Sequence, residues 1–134
     1  MTRHEARELA FILLFEMIFT GEPVETILEQ DEEARSVSPE PFALRLAAGA
    51  QAHLPEIDDI IARHSLKWSK QQTSRVALSL MRLAVYEMRF EEDIPVSVSI
   101  NEAVELAKKY GGDEEAAFIN GVLGGVARQD EAPV

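Results

Sequence analysis

Binding phosphate requires clustered cations, and this chain has few to spare. Its 134 residues hold 13 Lys and Arg against 24 Asp and Glu, a formal net charge of −11. That balance excludes a broad nucleic-acid surface, because phosphate backbones are held through grouped basic side chains. Only a local patch could serve. Arg3 and Arg7 are four apart and share a face of the helix that begins the chain, at its exposed end. Lys108 and Lys109 lie just before Gly111-Gly112, at a helix C-terminus whose dipole favours cations with or without a ligand. The acidic remainder suits a basic protein partner.

Other chemistries find no matching constellation. With no cysteine there is no disulfide, no thiolate nucleophile and no thiolate-bound metal, which fits a reducing compartment. His4, His53 and His64 fall in three separate segments without the spacing of metal ligands. "GVLGGV" lacks the lysine and the preceding strand of a phosphate loop. None of the 24 carboxylates stands in an apolar setting with a partner, as acid–base catalysis needs. The chain reads as a non-enzyme without cofactor or metal. It shows no secretory leader and no apolar run of the roughly 18–20 residues a membrane span needs, so a cytoplasmic location is expected.

The elements that position these residues are helical throughout. Thr2 and Glu5 form a candidate capping box, followed by Ala6, Leu9, Ala10, Leu13 and Met17 at three-and-four spacing. Gly21 and Pro23 end that helix and start a short one with Val24, Ile27 and Leu28. "DEEARSVSPEP" reads as a polar loop, with Ser38 capping a helix from Pro39 that carries Phe42, Leu46 and Gly49. Pro55 opens the next helix, with Ile57, Ile60 and Ile61 inward and Asp58 and Asp59 outward. Trp68 stands alone in a polar stretch. A helix around Val76–Met88 is apolar on most of its circumference and so central; within it, Arg82 is expected to pair with Glu87 or Glu102.

Pro95 breaks that helix, and Ser99 with Glu102 suggests a second capping box. The last helix is expected to bury Phe118, Ile119, Val122, Leu123 and Val126. Asn101 and Asn120 read as structural, tying helices together. Gly121, Gly124 and Gly125 cost roughly 1 kcal/mol each against Ala, a cost that close helix packing would offset better than a ligand role would explain. Seven helices and no strand predict one all-α domain over residues 1–134, with a disordered tail from about 128 to 134.

"MRLAVYEM", "IPVSVSINEAVELAKKYG" and "FINGVLGGVA", in this order, closely resemble the NusB transcription antitermination family, as does "ARELAFILLFE" near the start. The resemblance covers nearly the whole chain. It implies a compact seven-helix fold of two packed helical bundles. It also implies a non-enzymatic factor that binds the boxA element of ribosomal leader RNA with NusE, the tenth small-subunit ribosomal protein, and with other Nus factors helps RNA polymerase read through terminators. The related rRNA methyltransferases need a further domain for which this chain is too short.

On this resemblance RNA contacts fall to Arg3, Arg7, Lys108 and Lys109, and partner contacts to Phe11, Phe15, Ala77 and Phe118. Arg82, Asn101, Glu102, Asn120 and Gly121 are motif residues with structural roles. The chain departs from the family pattern at "RHEARE", which thins the arginine cluster, at Ala77-Leu78, where an Asp-Arg pair or a Glu is common, and at Phe15, where tyrosine is frequent. The thin cluster keeps an alternative open, a protein-interaction module with little RNA affinity. Phe11, Phe15 and Phe19 form a face that could dock NusE or a second copy, which leaves monomer and homodimer both open.

Overall fold

The computed structural model describes residues 1–35, 41–65 and 73–131, and these contain seven helices and no strand. Ser38, Pro39 and Trp68, singled out above, lie outside the described residues. Helix α1 (Arg3–Thr20) opens on the expected capping box: the Glu5 N–H donates to Thr2 Oγ1 at 3.1 Å and the Thr2 N–H to Glu5 Oε1 at 2.9 Å. Helix α2 (Val24–Arg35) continues through Asp31–Arg35, a stretch the sequence suggested as loop. Glu, Ala and Arg there are good helix formers, and polarity by itself does not end a helix.

Helices α3 (Pro41–Ala52), α4 (Leu54–Arg63), α5 (Arg75–Phe90), α6 (Val96–Tyr110) and α7 (Asp113–Glu131) complete the chain. Helices α1, α2 and α3 pack on one another; α4, α6 and α7 each pack on α5, with α7 also touching α4 and α6; and α5 packs on α1 and α3 as well. The two bundles therefore share α5, whose residues from Ala77 to Glu87 are all buried. Contact between α3 and α5 depends on Gly49: a Cβ there would overlap the Tyr86 ring. The α6–α7 turn needs Gly112, which takes φ +98°, a conformation costly for any side chain. Helix α7 runs to Glu131, so the tail expected from about 128 is helical at its start.

Ion pairs buried in this core differ from those the sequence suggested. Arg82 pairs with neither Glu87 nor Glu102. Its Nε and Nη2 donate to Asp58 Oδ1 and Oδ2, both at 2.9 Å. Asp58 is consequently buried rather than outward, because a guanidinium on the inner face of α5 needs a fork-matched carboxylate. Ser99 does not cap α6. Pro95 starts that helix with φ −59°, its missing N–H costing nothing there, and the Ser99 hydroxyl instead donates to Glu87 Oε1 at 3.3 Å.

Glu87 is also held by Arg7, whose Nε donates to its Oε1 at 3.0 Å and Oε2 at 3.2 Å. Helices α1, α5 and α6 thus meet at one carboxylate that is 1% exposed. Burial pushes the Glu87 carboxyl above its ordinary 4.5 against the opposing pull of Arg7. Arg7→Met strands that carboxylate and should cost about 3–5 kcal/mol in urea unfolding, whereas Arg7→Met with Glu87→Leu should recover most of the loss. The single variant's loss should be smaller at acidic pH, where protons neutralise Glu87.

Candidate functional site

The described cations divide into free and committed. Arg3 is exposed, and its guanidinium sits 3.7 Å from the centroid of the Phe42 ring with no ion pair among the described residues. The same buried ring is approached by the guanidinium of Arg45 at 5.2 Å and that of Arg7 at 5.6 Å. Phe42 therefore orients Arg3 by cation–π attraction on the α3 side of α1. Arg45 additionally donates from Nη2 to Glu91 Oε1 at 2.6 Å. Arg7 was expected beside Arg3 on an exposed face, but it is 5% exposed and committed to Glu87. Four-residue spacing gives a shared face and does not say which turn of it meets a neighbouring helix.

On the α6 side of α1, Lys108 is exposed and has no ion pair among the described residues. Lys109 donates from Nζ to Glu8 Oε2 at 2.6 Å, and the Tyr110 hydroxyl donates to the same oxygen at 2.8 Å. Those two hydrogen bonds hold the Glu8 carboxyl below its ordinary 4.5. The bond to Glu8 in turn raises the Lys109 ammonium above its ordinary 10.5. One turn nearer the N-terminus of α1, His4 Nδ1 meets Glu102 Oε2. Arg3 and the shared Lys109 thus flank the first turns of α1 from both sides, with Lys108 next to Lys109 in the chain.

An aromatic ladder continues from this seam along α1. Tyr110 meets Phe11 at 5.0 Å, Phe11 meets Phe15 at 6.0 Å and Phe15 meets Phe19 at 4.9 Å, centroid to centroid, with the rings of each pair tilted by 52–57°. Exposure changes along it: Phe11 is 2% exposed, Tyr110 40% and Phe19 56%. Phe11 is thus an interior rung, and Phe19 and Tyr110 present the surface. Ala77 is buried too, its N–H donating to Ser74 Oγ at 3.0 Å in the first turn of α5.

Phe118, expected inside, is 37% exposed. The buried stripe of α7 is Ala116, Ile119, Val122, Leu123 and Val126, and Phe118 falls outside it. Asn120 and Gly121 fall on the same outer side, and Asn101 is exposed on α6. Neither asparagine has a side-chain hydrogen bond among the described residues, so neither ties helices together, and the space around Gly121 is open. A Cβ on Gly125, by contrast, would lie 3.3 Å from His64 Nδ1. Glu8, Phe42, Tyr110 and Arg75 escaped the sequence reading. Their partners are remote in the chain, Lys109 lying 101 residues from Glu8, so no local spacing signals them.

Among the described residues no three His, Asp or Glu side chains come together as a metal site. No described helix is long and apolar enough to cross a membrane.

A family model described as "NusB family" matches residues 4–128. A transcription antitermination protein NusB of Clostridium botulinum strain Kyoto is 41% identical over 92% of this chain and 98% of its own length. That of Myxococcus xanthus is 40% identical over 93% and 94%. Among solved structures, NusB of T. maritima superposes with a TM-score of 0.85 at 36% identity, covering 96% of this chain and 92% of that one. A structure of antitermination factors NusB and NusE in complex with dsRNA gives 0.84 at 28% identity, covering 96% and 99%.

The Glu8 cluster carries a pH signature. As pH falls below about 4.5, Glu8 gains a proton in the unfolded chain before it does so in the folded one, so protons favour unfolding. Stability from this group is present above that pH and lost as pH falls through the lowered folded value. In Glu8→Gln, urea midpoints measured from neutral to acidic pH should lack this component of the decline.

Proposed function

The chain belongs to the NusB family, and from that membership we propose that it is a transcription antitermination factor of the cytoplasm. It binds boxA RNA of ribosomal RNA leaders together with NusE, the tenth small-subunit ribosomal protein. Acting with the other Nus factors, the pair assists readthrough by RNA polymerase. It performs no catalysis: its chemistry is to hold a phosphate backbone and a protein partner at once.

One observation carries the RNA reading. In a chain of net charge −11, Arg3 stands at the first turn of α1 without an ion pair among the described residues, already oriented on Phe42, and Lys108 is exposed at the end of α6, likewise unpaired among the described residues. A planar guanidinium on a ring suits phosphate or a stacked base. Lys109 joins them by exchanging Glu8 for a phosphate. NusE meets the exposed aromatic edge further along α1, where Phe15 and Phe19 offer the apolar area an interface core needs.

A second reading, a protein-interaction module with little RNA affinity, is favoured by a different observation. Arg7 and Lys109, two of the four cations assigned to RNA by resemblance, are already paired to Glu87 and Glu8.

Fluorescence anisotropy with labelled boxA RNA, with and without NusE and over a range of salt, separates the two. On the first reading binding is salt-sensitive and strengthened by NusE. Arg3→Ala and Lys108→Ala should each weaken it and flatten the log–log salt slope by about 0.7. NusE binding with no RNA binding under any condition would leave only the second reading.

A further inference from the structure

Lys109, Tyr110 and Glu8 form more than a surface ion pair. The Lys109 ammonium and the Tyr110 hydroxyl, both from the end of α6, converge on a single oxygen, Glu8 Oε2 of α1, at 2.6 Å and 2.8 Å. So exposed a pair adds little to the fold, since the Lys109 side chain keeps 60% of its surface in water. The arrangement has instead the form of a small anion site. An ammonium and a phenolic hydroxyl are donors that phosphate oxygens accept from in nucleic-acid complexes. The Tyr110 ring lies against Phe11 at 5.0 Å, which restricts the position of its hydroxyl. Tyr110 is 40% exposed and the Glu8 side chain 21%, so the donors are open to solvent and the carboxylate is the more covered member.

We propose that Lys109 and Tyr110 together hold one RNA phosphate, and that Glu8 occupies their site in the free protein as an internal competitor. The inference rests on the function proposed above and adds the residue that regulates that surface. A carboxylate matches phosphate in sign of charge and in accepting hydrogen bonds. It differs in being tethered, so its effective concentration at the site is high and stray phosphate does not displace it. RNA displaces it only once other contacts, Arg3 among them, hold the backbone nearby. The two hydrogen bonds that lower the Glu8 carboxyl below its ordinary 4.5 also keep it ionised, so the competitor is present at neutral pH. On exchange both donors pass from carboxylate to phosphate, and Glu8 returns to water with its charge. The number of hydrogen bonds is conserved, so the net gain from this contact is small. Removing the carboxylate therefore releases affinity that the fold already contains.

The test is fluorescence anisotropy of the full chain with labelled boxA RNA, over a range of salt, for Glu8→Ala, Tyr110→Phe and the double variant. Glu8→Ala should tighten binding by about fivefold, the upper range for an exposed ion pair. It should also steepen the log–log salt slope by about 0.7, one phosphate contact on a single strand. Misfolding cannot produce such a gain. Tyr110→Phe alters no charge and so reads the exchange itself. In the parent it should change affinity by less than about twofold, because the hydroxyl's bond is lost on both sides of the exchange. In Glu8→Ala it should weaken binding by about fivefold, because only the phosphate then uses that hydroxyl. If the parent binds RNA and Glu8→Ala binds no tighter, the inference falls while the proposed function stands. If Glu8→Ala binds tighter but Tyr110→Phe costs the same in both backgrounds, loss of one negative charge explains the gain and the inference is overturned. If neither the parent nor Glu8→Ala binds RNA, with or without NusE, the proposed function falls and takes the inference with it.

Discussion

The Glu87 carboxylate is the point on which the arrangement depends. It is buried on α5 and satisfied from two other helices, by the Arg7 guanidinium of α1 and the Ser99 hydroxyl of α6. An ion this deep is costly to desolvate and is tolerable only where geometry satisfies its oxygens. It also constrains the packing: apolar contact alone would accept small rotations of α1, while this carboxylate is satisfied only where the Arg7 Nε and the Ser99 hydroxyl both reach it. In this arrangement His4 and Glu8 meet α6, Arg3 meets Phe42, and Phe19 meets the start of α5.

From this orientation the surface acquires its division of labour. Burying Arg7 removes one cation from an already poor supply. The aromatic ladder is dry at Phe11 and wet at Phe19 and Tyr110. An acidic protein can approach RNA with so few free cations because part of the surrounding acid is internally neutralised. Glu8 by Lys109 and Glu91 by Arg45 are both paired near that face.

Much of this was legible in the sequence, and the rest was hidden for definable reasons. Capping chemistry and apolar periodicity are local, so Thr2-Glu5, the central helix and the α6–α7 turn could be read directly. The family-like runs marked the fold as a whole. What could not be read was which polar side chains meet across helices: Arg82 chose Asp58 over Glu87, and Ser99 served Glu87 instead of its own helix. Both choices follow from rotations about helix axes that periodicity does not fix. Phe118 shows the opposite failure, since hydrophobicity suggested burial while its position on α7 lay outside the inward stripe. Asn101 and Asn120 were given structural duties because they sit near apolar runs, yet a step of about 100° per residue carries a side chain from core to solvent.

The sharing of α5 by both bundles has a consequence for how the molecule comes apart. A two-bundle protein joined by a linker can lose one half and keep the other, populating a half-folded species. Here neither bundle retains a core without α5, and α5 cannot leave one bundle while staying seated in the other. Its residues from Ala77 to Glu87 are buried, so the amides along that stretch open only when the whole chain does. The described helices should therefore unfold as one cooperative unit, with slow amide exchange concentrated in the central helix and faster exchange at the helix ends.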